Sequence, residues 1–431
     1  MLYKESRFNI IISEDPYRGV LIANSYSNKH DWINPADYEI MHNNEKISDD
    51  DVTWQMINNG FVVDYNLDEV NRFVVESEKK NHDQNSNTLR LVIAPSMSCN
   101  YNCVYCFEKN MNTICNSFMS DETIKDTVNF IKHMCKKYKR TKFITIKWFG
   151  GEPLLHVDAI EKIIEGMKKE FMQEDDIKFR WQMLITNGRY LTRETAERLC
   201  RLGIRKVQIP IDGLPETYAK MKGCTEDDFH AVIENIKNTQ DIMNIAIRLN
   251  VSNYNKSDVR VLVDYLDEQG IKAGLYTEWV QEYTDDEAGM TAVDDEYTQI
   301  MRDTCVCINE EKQNLKNSPA YPYKSYGCEA CEENHFCIAA DGGIYRCEHL
   351  INNKKYLSGD VKNGLLKKNL DHIWMEPNIP EKCRQCVLLP RCMYKCITDR
   401  DIEHIEPRCD FLIKNYIETV KLHRKYTNHQ P

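Results

Sequence analysis

Between residues 88 and 280 short β-rich runs alternate with amphipathic helical stretches, and no other feature narrows the fold of this chain so far. The runs occupy 89–94, 143–149, 179–186, 206–211, 245–251 and 273–280. The helical stretches between them occupy 121–138, 157–174, 193–202, 227–239 and 257–269. Repeated βα units of this kind build a parallel sheet with helices on one side. In parallel barrels ligands sit at the C-terminal ends of the strands, so the residues just after each run are the first place to look for chemistry.

After the first run, residues 94–109 place Cys99, Cys103 and Cys106 in a C-x3-C-x2-C pattern. A cubane iron-sulfur cluster normally takes four thiolates, so a loop offering three leaves one iron open to a ligand that is not protein. Structural zinc is disfavoured, because it takes four protein ligands built from paired C-x2-4-C units. After the second run comes Gly150-Gly151-Glu152-Pro153, and after the third Thr186-Asn187-Gly188, whose Asn also suits a plain turn. The fourth run ends Gln208-Ile209-Pro210-Ile211-Asp212-Gly213, and the fifth carries Arg248 and Asn250.

The 18 cysteines of the chain are too many to be chance in a sequence whose start, Met-Leu-Tyr-Lys-Glu-Ser, has no apolar signal segment. Disulfides are rare in reducing compartments, so a cytoplasmic, metal-binding protein is expected. Cys115, Cys135, Cys200, Cys224, Cys305 and Cys307 are scattered without ligand spacing and read as small core residues. The rest of the later cysteines lie between Cys328 and Cys409. A formal net charge of -11 speaks against nucleic acid as a substrate, and no apolar run reaches the roughly 18 residues a membrane span needs.

At the cysteine loop the chain resembles the radical S-adenosylmethionine (SAM) superfamily. The resemblance implies a partial (β/α)6 barrel and a 4Fe-4S cluster on Cys99, Cys103 and Cys106. The open iron of that cluster chelates SAM, and one electron cleaves it to a 5'-deoxyadenosyl radical that abstracts a substrate hydrogen. It further implies that Tyr105 lies near the adenine and that Gly150, Gly151, Glu152 and Pro153 hold the SAM methionine amine. The glycines there admit close backbone approach. Asn187 matches the family's Thr-Asn-Gly turn, and Arg248, with Asn250 beside it, matches the position that pairs with the SAM carboxylate. Close relatives commonly have Ser where this chain has Pro210, which puts one ribose contact in doubt; Asp212 then reads as structural.

Cys383-x2-Cys386-x5-Cys392-x3-Cys396, followed by Cys409 and preceded by Gly342-x4-Cys347, resembles the SPASM domain, an extension that carries auxiliary 4Fe-4S clusters. By that resemblance Cys383, Cys386, Cys392 and Cys409 hold one auxiliary cluster, and Cys347 and Cys396 help hold another. The remaining ligands of the latter come from Cys328, Cys331 and Cys337, so three clusters are expected in all. Glu348 stands where sulfatase-maturing enzymes have an acidic base, and His349 is the alternative.

Residues 1–85 read as strands at 8–13 and 19–25, helices at 35–42 and 50–59, a strand at 61–63 and a helix at 68–80. This layout resembles the leader-peptide recognition domains of enzymes that modify ribosomally made peptides, which add an extended leader to a sheet edge. The expected architecture is therefore α/β: a recognition-like α+β domain at 1–85, a radical SAM barrel at 88–310 and a Cys-rich SPASM domain at 320–415.

The implied activity is that of an oxidoreductase maturing a precursor peptide, with thioether crosslinks as the expected product, similar to sactipeptide and ranthipeptide maturases. A reductant such as flavodoxin or ferredoxin is the implied partner besides the peptide. Sulfatase maturation to formylglycine, carbon-carbon crosslinking and epimerisation are the alternatives. In a different class stands a non-catalytic carrier of electrons, in which Gly150 to Pro153 and Arg248 have no purpose.

Overall fold

In the computed structural model, described residues are all except 83–85, 111–116, 173–175, 281–293, 318–327, 367–373, 375–378, 393–408 and 428–431. The chain divides into two compact units, one of residues 1–82, 318–332 and 373–431, the other of residues 83–317 and 333–372. The 320–415 segment is thus shared between the units.

The N-terminal segment forms β1 (Leu2–Glu5), β2 (Asn9–Asp15), β3 (Gly19–Asn24), β4 (Lys29–Ile33), α1 (Pro35–Asn43), β5 (Ile47–Ser48), α2 (Trp54–Asn59), β6 (Val62–Asp64) and α3 (Glu69–Asn81). Local sequence sets these limits. Asn34, Thr53 and Asp68 each accept a backbone N–H from the first turn of the helix they precede, and Gly60, at φ +71°, closes α2 in the left-handed region. Two antiparallel three-stranded sheets result, β5-β1-β6 and β2-β3-β4. The strands β1, β4 and β5 are not foreseen by periodicity.

The second unit carries the barrel. Its elements are β7 (Thr88–Ser96), α4 (Phe107–Asn110), α5 (Asp121–Lys137), β8 (Phe143–Gly150), α6 (Val157–Met167), β9 (Lys178–Ile185), α7 (Arg193–Arg201), β10 (Lys206–Pro210), α8 (Pro215–Lys222), α9 (Glu226–Thr239), β11 (Asn244–Val251), α10 (Val259–Glu268), β12 (Gly274–Trp279) and α11 (Asp294–Glu311). Strands β7 to β12 lie side by side in chain order and pair parallel. The six expected runs are all strands, with ends shifted by a residue or two. On the helix side Trp148 is fully buried; its Nε1 donates to Gln182 Oε1 at 3.2 Å, and Gln182 Nε2 donates to the Leu202 carbonyl at 3.1 Å. A core polar group is therefore satisfied at each step.

The sheet does not stop at β7. Strand β13 (His335–Ile338) pairs parallel with it, and β14 (Gly343–Tyr345), β15 (Gly359–Asp360) and β16 (Gly364–Leu365) continue outward as antiparallel strands. The result is one ten-stranded sheet.

The remaining helices, α12 (Glu381–Arg384), α13 (Leu389–Cys392) and α14 (Cys409–Thr427), belong to the first unit. There β3, buried along its whole length, is covered on both faces. Val20 and Ile22 pack with Met41, Met56 and Phe61, while Leu21 and Ala23 pack with Ile10, Ile12, Leu388, Tyr416 and Val420. Ser25 Oγ donates to the Val387 carbonyl at 2.5 Å. The cysteine-bearing C-terminal segment thus rests on the N-terminal sheet. Among the described residues no helix is long and apolar enough to cross a membrane.

Candidate active site

The C-terminal ends of the barrel strands surround a cavity of about 620 Å³. Cys99, Cys103 and Cys106 line it together with Gly150, Gly151, Asn187, Arg248 and Glu348, which brings the residues expected from separate strands to one place. The cysteine loop is laced by backbone bonds: the Tyr101 N–H donates to Cys99 Sγ at 3.4 Å and the Cys106 N–H to the Cys103 carbonyl at 3.3 Å. Burial pushes the Cys99 and Cys103 thiols up to about 12. Metal ligation requires the thiolate, and a bound metal supplies the positive charge that stabilises it. Three cysteines on one cavity wall, with an N–H aimed at a sulfur, fit an iron-sulfur cluster.

The turn after β8 explains its two glycines. Gly150 has φ +115°, and a Cβ there would lie 2.3 Å from the Ser96 carbonyl oxygen. At Gly151 a Cβ would lie 2.6 Å from the carbonyl oxygens of both Met97 and Ser98. The Gly151 and Glu152 N–H groups donate to Ser96 and Ser98 at 3.0 and 2.9 Å, so this turn and the cysteine loop are one piece of backbone.

Glu152 is expected near the SAM amine, but its carboxylate is already engaged. It accepts from Leu154 N at 3.0 Å and Thr186 Oγ1 at 2.7 Å on one oxygen, and from Asn187 N at 2.8 Å on the other. Desolvation pushes it up to about 7 while those three donors pull it down. Glu152 therefore braces two strand ends against each other. Pro153 opens the short 3-10 turn that follows and is buried. Asn187 Nδ2 donates to Asn100 Oδ1 at 2.8 Å, tying the third strand end to the cysteine loop.

A network not foreseen from the sequence lies under Tyr105. The phenol donates to Asp212 Oδ2 and accepts from Lys222 Nζ at 2.5 Å and from Asn250 Nδ2 at 3.3 Å. Lys222 and Asp212 form an ion pair of 2.7 Å with side chains almost wholly buried. Asn250 also donates to Asp212 Oδ1 at 3.0 Å, and its Oδ1 accepts from Arg248 Nε at 2.9 Å. Asn250 is thus a hinge pin between Arg248 and the buried pair, and Asp212 is structural as its sequence context suggests.

On the lining of the same cavity, Glu348 Oε2 accepts from Lys147 Nζ at 2.7 Å, both side chains half-buried. Next to it, desolvation lowers the pKa of His349, with Glu348 opposing and Arg248 and Lys147 adding to the effect, so the ring is neutral near pH 7. Its ring centroid lies 4.7 Å from that of Phe107. Glu278 also lines the cavity; burial raises its pKa against the pull of Arg248. Lys147, Lys222 and Glu278 were not singled out by sequence. Pro215 at the start of α8 and Gly223 just past its end are the one signal that could have drawn attention to the helix ending at Lys222.

Of the other cysteines, Cys337 and Cys347 are buried in the barrel unit, where Cys337 Sγ donates to the Arg346 carbonyl at 3.5 Å and lies 3.4 Å from His335 Nε2. Cys328 and Cys331 belong to the first unit, as do Cys383, Cys386, Cys392 and Cys409. There the Cys386 N–H donates to the Cys383 carbonyl at 3.1 Å and the Leu388 N–H to Cys386 Sγ at 3.4 Å. Cys383 packs against the apolar cluster of Phe8 and Phe73, and Cys386 and Cys392 against that of Leu21 and Val420. Cys396 and Cys115 lie outside the described residues.

Residues 93–266 match the radical SAM superfamily. The chain is 22% identical over 248 residues to the radical SAM cyclopropyl synthase TigE of Paramaledivibacter caminithermalis, covering 50% of each chain. The chain spans half or less of the length of the first curated relatives it matches. Among solved structures it superposes on anSMEcpe with bound AdoMet at a TM-score of 0.60, with 19% identity, 79% of this chain and 97% of that one covered. It superposes on Streptococcus suis SuiB bound to the precursor peptide SuiA at 0.53, with 18% identity and 93% and 97% covered. At these identities the superpositions establish the fold: an α/β partial barrel with small N-terminal antiparallel sheets and a Cys-rich C-terminal region.

Proposed function

Because residues 93–266 match the radical SAM superfamily, we propose that the chain is a radical SAM enzyme that matures a ribosomally made precursor peptide, and that the product is a thioether crosslink from a cysteine sulfur to carbon. The observation that carries this reading is the cavity itself, which Cys99, Cys103 and Cys106 line together with His349 and with Glu348, the partner of Lys147. The cluster and SAM, when bound, supply a one-electron cleavage that ends in removal of a substrate hydrogen atom. The chain's own residues then have separable duties. The glycine turn and Arg248 hold the amino-acid end of SAM, Arg248 kept in place by Asn250. Glu348 or the neutral His349 would take the proton of the attacking thiol, a role suited to a group in a half-buried setting, and the electron left over when sulfur joins the carbon radical would pass to an auxiliary cluster.

Structures with peptides bound support the substrate class: anSMEcpe with the Cp18Cys peptide, and SuiB with SuiA. SuiB bound to its precursor peptide aligns over 93% of this chain where anSMEcpe aligns over 79%, and this longer match supports the peptide-maturase reading over sulfatase maturation. Both faces of the β2-β3-β4 sheet are packed, so its edges are where an extended leader would add. In this reading Cys383, Cys386, Cys392 and Cys409 hold one auxiliary cluster. Cys347, Cys396 and members of the Cys328, Cys331 and Cys337 group hold the other, with flavodoxin or ferredoxin as reductant.

The test is anaerobic incubation of the reconstituted chain with SAM, dithionite and the peptide of the neighbouring reading frame, for which this reading expects a short cysteine-rich sequence. The expected product has lost two hydrogens per crosslink and resists thiol alkylation, and 5'-deoxyadenosine accumulates. A fully alkylatable product would remove the thioether; absence of 5'-deoxyadenosine would remove the enzyme.

A further inference from the structure

The cysteine loop is held from outside by the end of α8. The carbonyls of Lys222 and Met221 accept the N–H groups of Asn102 and Val104 at 2.9 and 3.0 Å. Gly223, at φ +58°, follows so closely that a Cβ there would lie 2.4 Å from the Asn102 carbonyl oxygen. The Lys222 side chain then runs inward, 5.2 Å from the Tyr105 ring centroid, to meet Tyr105 and Asp212. Every acceptor around it is spoken for: Asp212 Oδ1 takes the Asn250 N–H and Nδ2 at 3.2 and 3.0 Å, and the Asp212 carbonyl takes Asn255 Nδ2 at 2.6 Å.

An ion pair buried this completely is a poor way to gain stability, since apolar residues of similar volume serve as well or better. What an apolar substitute lacks is a fixed charge. Lys222 holds the loop on both sides of Cys103, its carbonyl bonded to the Asn102 N–H and its ammonium to the Tyr105 phenol. A cluster gains negative charge when reduced, and a cation held nearby in a region of low dielectric stabilises that state.

We propose that Lys222 is a positioning residue that clamps the cysteine loop to the end of β10 and, through its fixed positive charge, raises the reduction potential of the cluster on Cys99, Cys103 and Cys106. Asp212 fixes the lysine and offsets part of its charge. The inference rests on the reading of those cysteines as cluster ligands.

It is tested on the full reconstituted chain by EPR-monitored redox titration, following the signal that a Cys99→Ala/Cys103→Ala/Cys106→Ala variant loses. Lys222→Gln is expected to shift the reduction equilibrium about tenfold toward the oxidised cluster, ~59 mV for one electron. Asp212→Asn is expected to shift it the opposite way, and Lys222→Arg to stay near the wild type. A loss of packing alone does not produce shifts of opposite sign. If Lys222→Gln holds no iron at this site, the clamp is supported and Asp212→Asn decides the charge. An equilibrium within threefold of wild type in every loaded variant overturns the proposal. A wild-type chain that assembles no such cluster overturns the reading beneath it instead.

Discussion

Lys147 reaches from β8 to Glu348, in the segment after β14, and this one bond of 2.7 Å fixes the carboxylate that faces the cavity. Replacing Lys147 by Met leaves that carboxylate without its partner, and replacing Glu348 by Gln removes the charge. In both variants SAM cleavage is expected to persist while crosslinked product falls by about 10²-fold, the lower range for loss of a general base. Quantifying 5'-deoxyadenosine against crosslinked peptide by chromatography checks this; product and nucleoside falling together would show that the pair serves the cluster side. A second single-residue prediction concerns His335, fully enclosed beside Cys337. Desolvation, then Lys147, Arg346 and Arg90, lowers its pKa to about 3. The unfolded chain binds a proton below about 6.5 that the folded chain refuses, so this group's contribution to stability falls as pH drops from about 6.5 toward 3. Urea unfolding of the apo chain at pH 7 and pH 5 is expected to show that loss, and His335→Gln to flatten it.

At the scale of elements, the glycine turn after β8 and the cysteine loop after β7 share their backbone bonds, so a methyl group at Gly151 pushes against two carbonyls at once. Gly151→Ala is expected to weaken SAM binding by at least tenfold in equilibrium dialysis while far-UV circular dichroism stays that of the wild type. Unchanged affinity would mean the turn gives way without disturbing the cavity. The same elements show what was legible in the sequence. The six barrel strands and the helices between them announce themselves because their apolar periodicity reflects burial against a neighbouring layer. The strands β1, β4 and β5 do not: they are short, and β4 reads Lys-His-Asp-Trp-Ile, without alternation. β1 and β5 pair with strands distant in sequence, and β4 pairs with its neighbour β3 without a periodic pattern to mark it. That Cys99, Cys103, Cys106, Gly150, Gly151, Asn187 and Arg248 would meet at one cavity was readable because residues at strand ends are set by local spacing. The burial of Lys222 and the engagement of Glu152 were not, since each depends on partners from other strands.

At the scale of the whole molecule, the N-terminal segment shares one compact unit with residues 318–332 and 373–431, and this bears on how leader recognition can be tested. Deleting residues 1–82 removes Ile10, Ile12, Leu21 and Ala23 from the face on which Leu388, Tyr416 and Val420 rest, and Phe8 and Phe73 from beside Cys383. Each exposed aliphatic or aromatic side chain forfeits roughly 1.5–3 kcal/mol of burial, so the C-terminal cysteine segment cannot keep its packing. The truncated chain is therefore expected to lose the iron assigned to Cys383, Cys386, Cys392 and Cys409 along with peptide processing. It is expected to keep the iron proposed at Cys99, Cys103 and Cys106, because residues 83–317 and 333–372 form a compact unit of their own. Iron and sulfide analysis of the truncated chain against the full one, with EPR to tell the clusters apart, measures this directly. A truncated chain with its full complement of iron but no processing would instead assign the N-terminal segment to leader binding alone, free of any part in holding the auxiliary cluster.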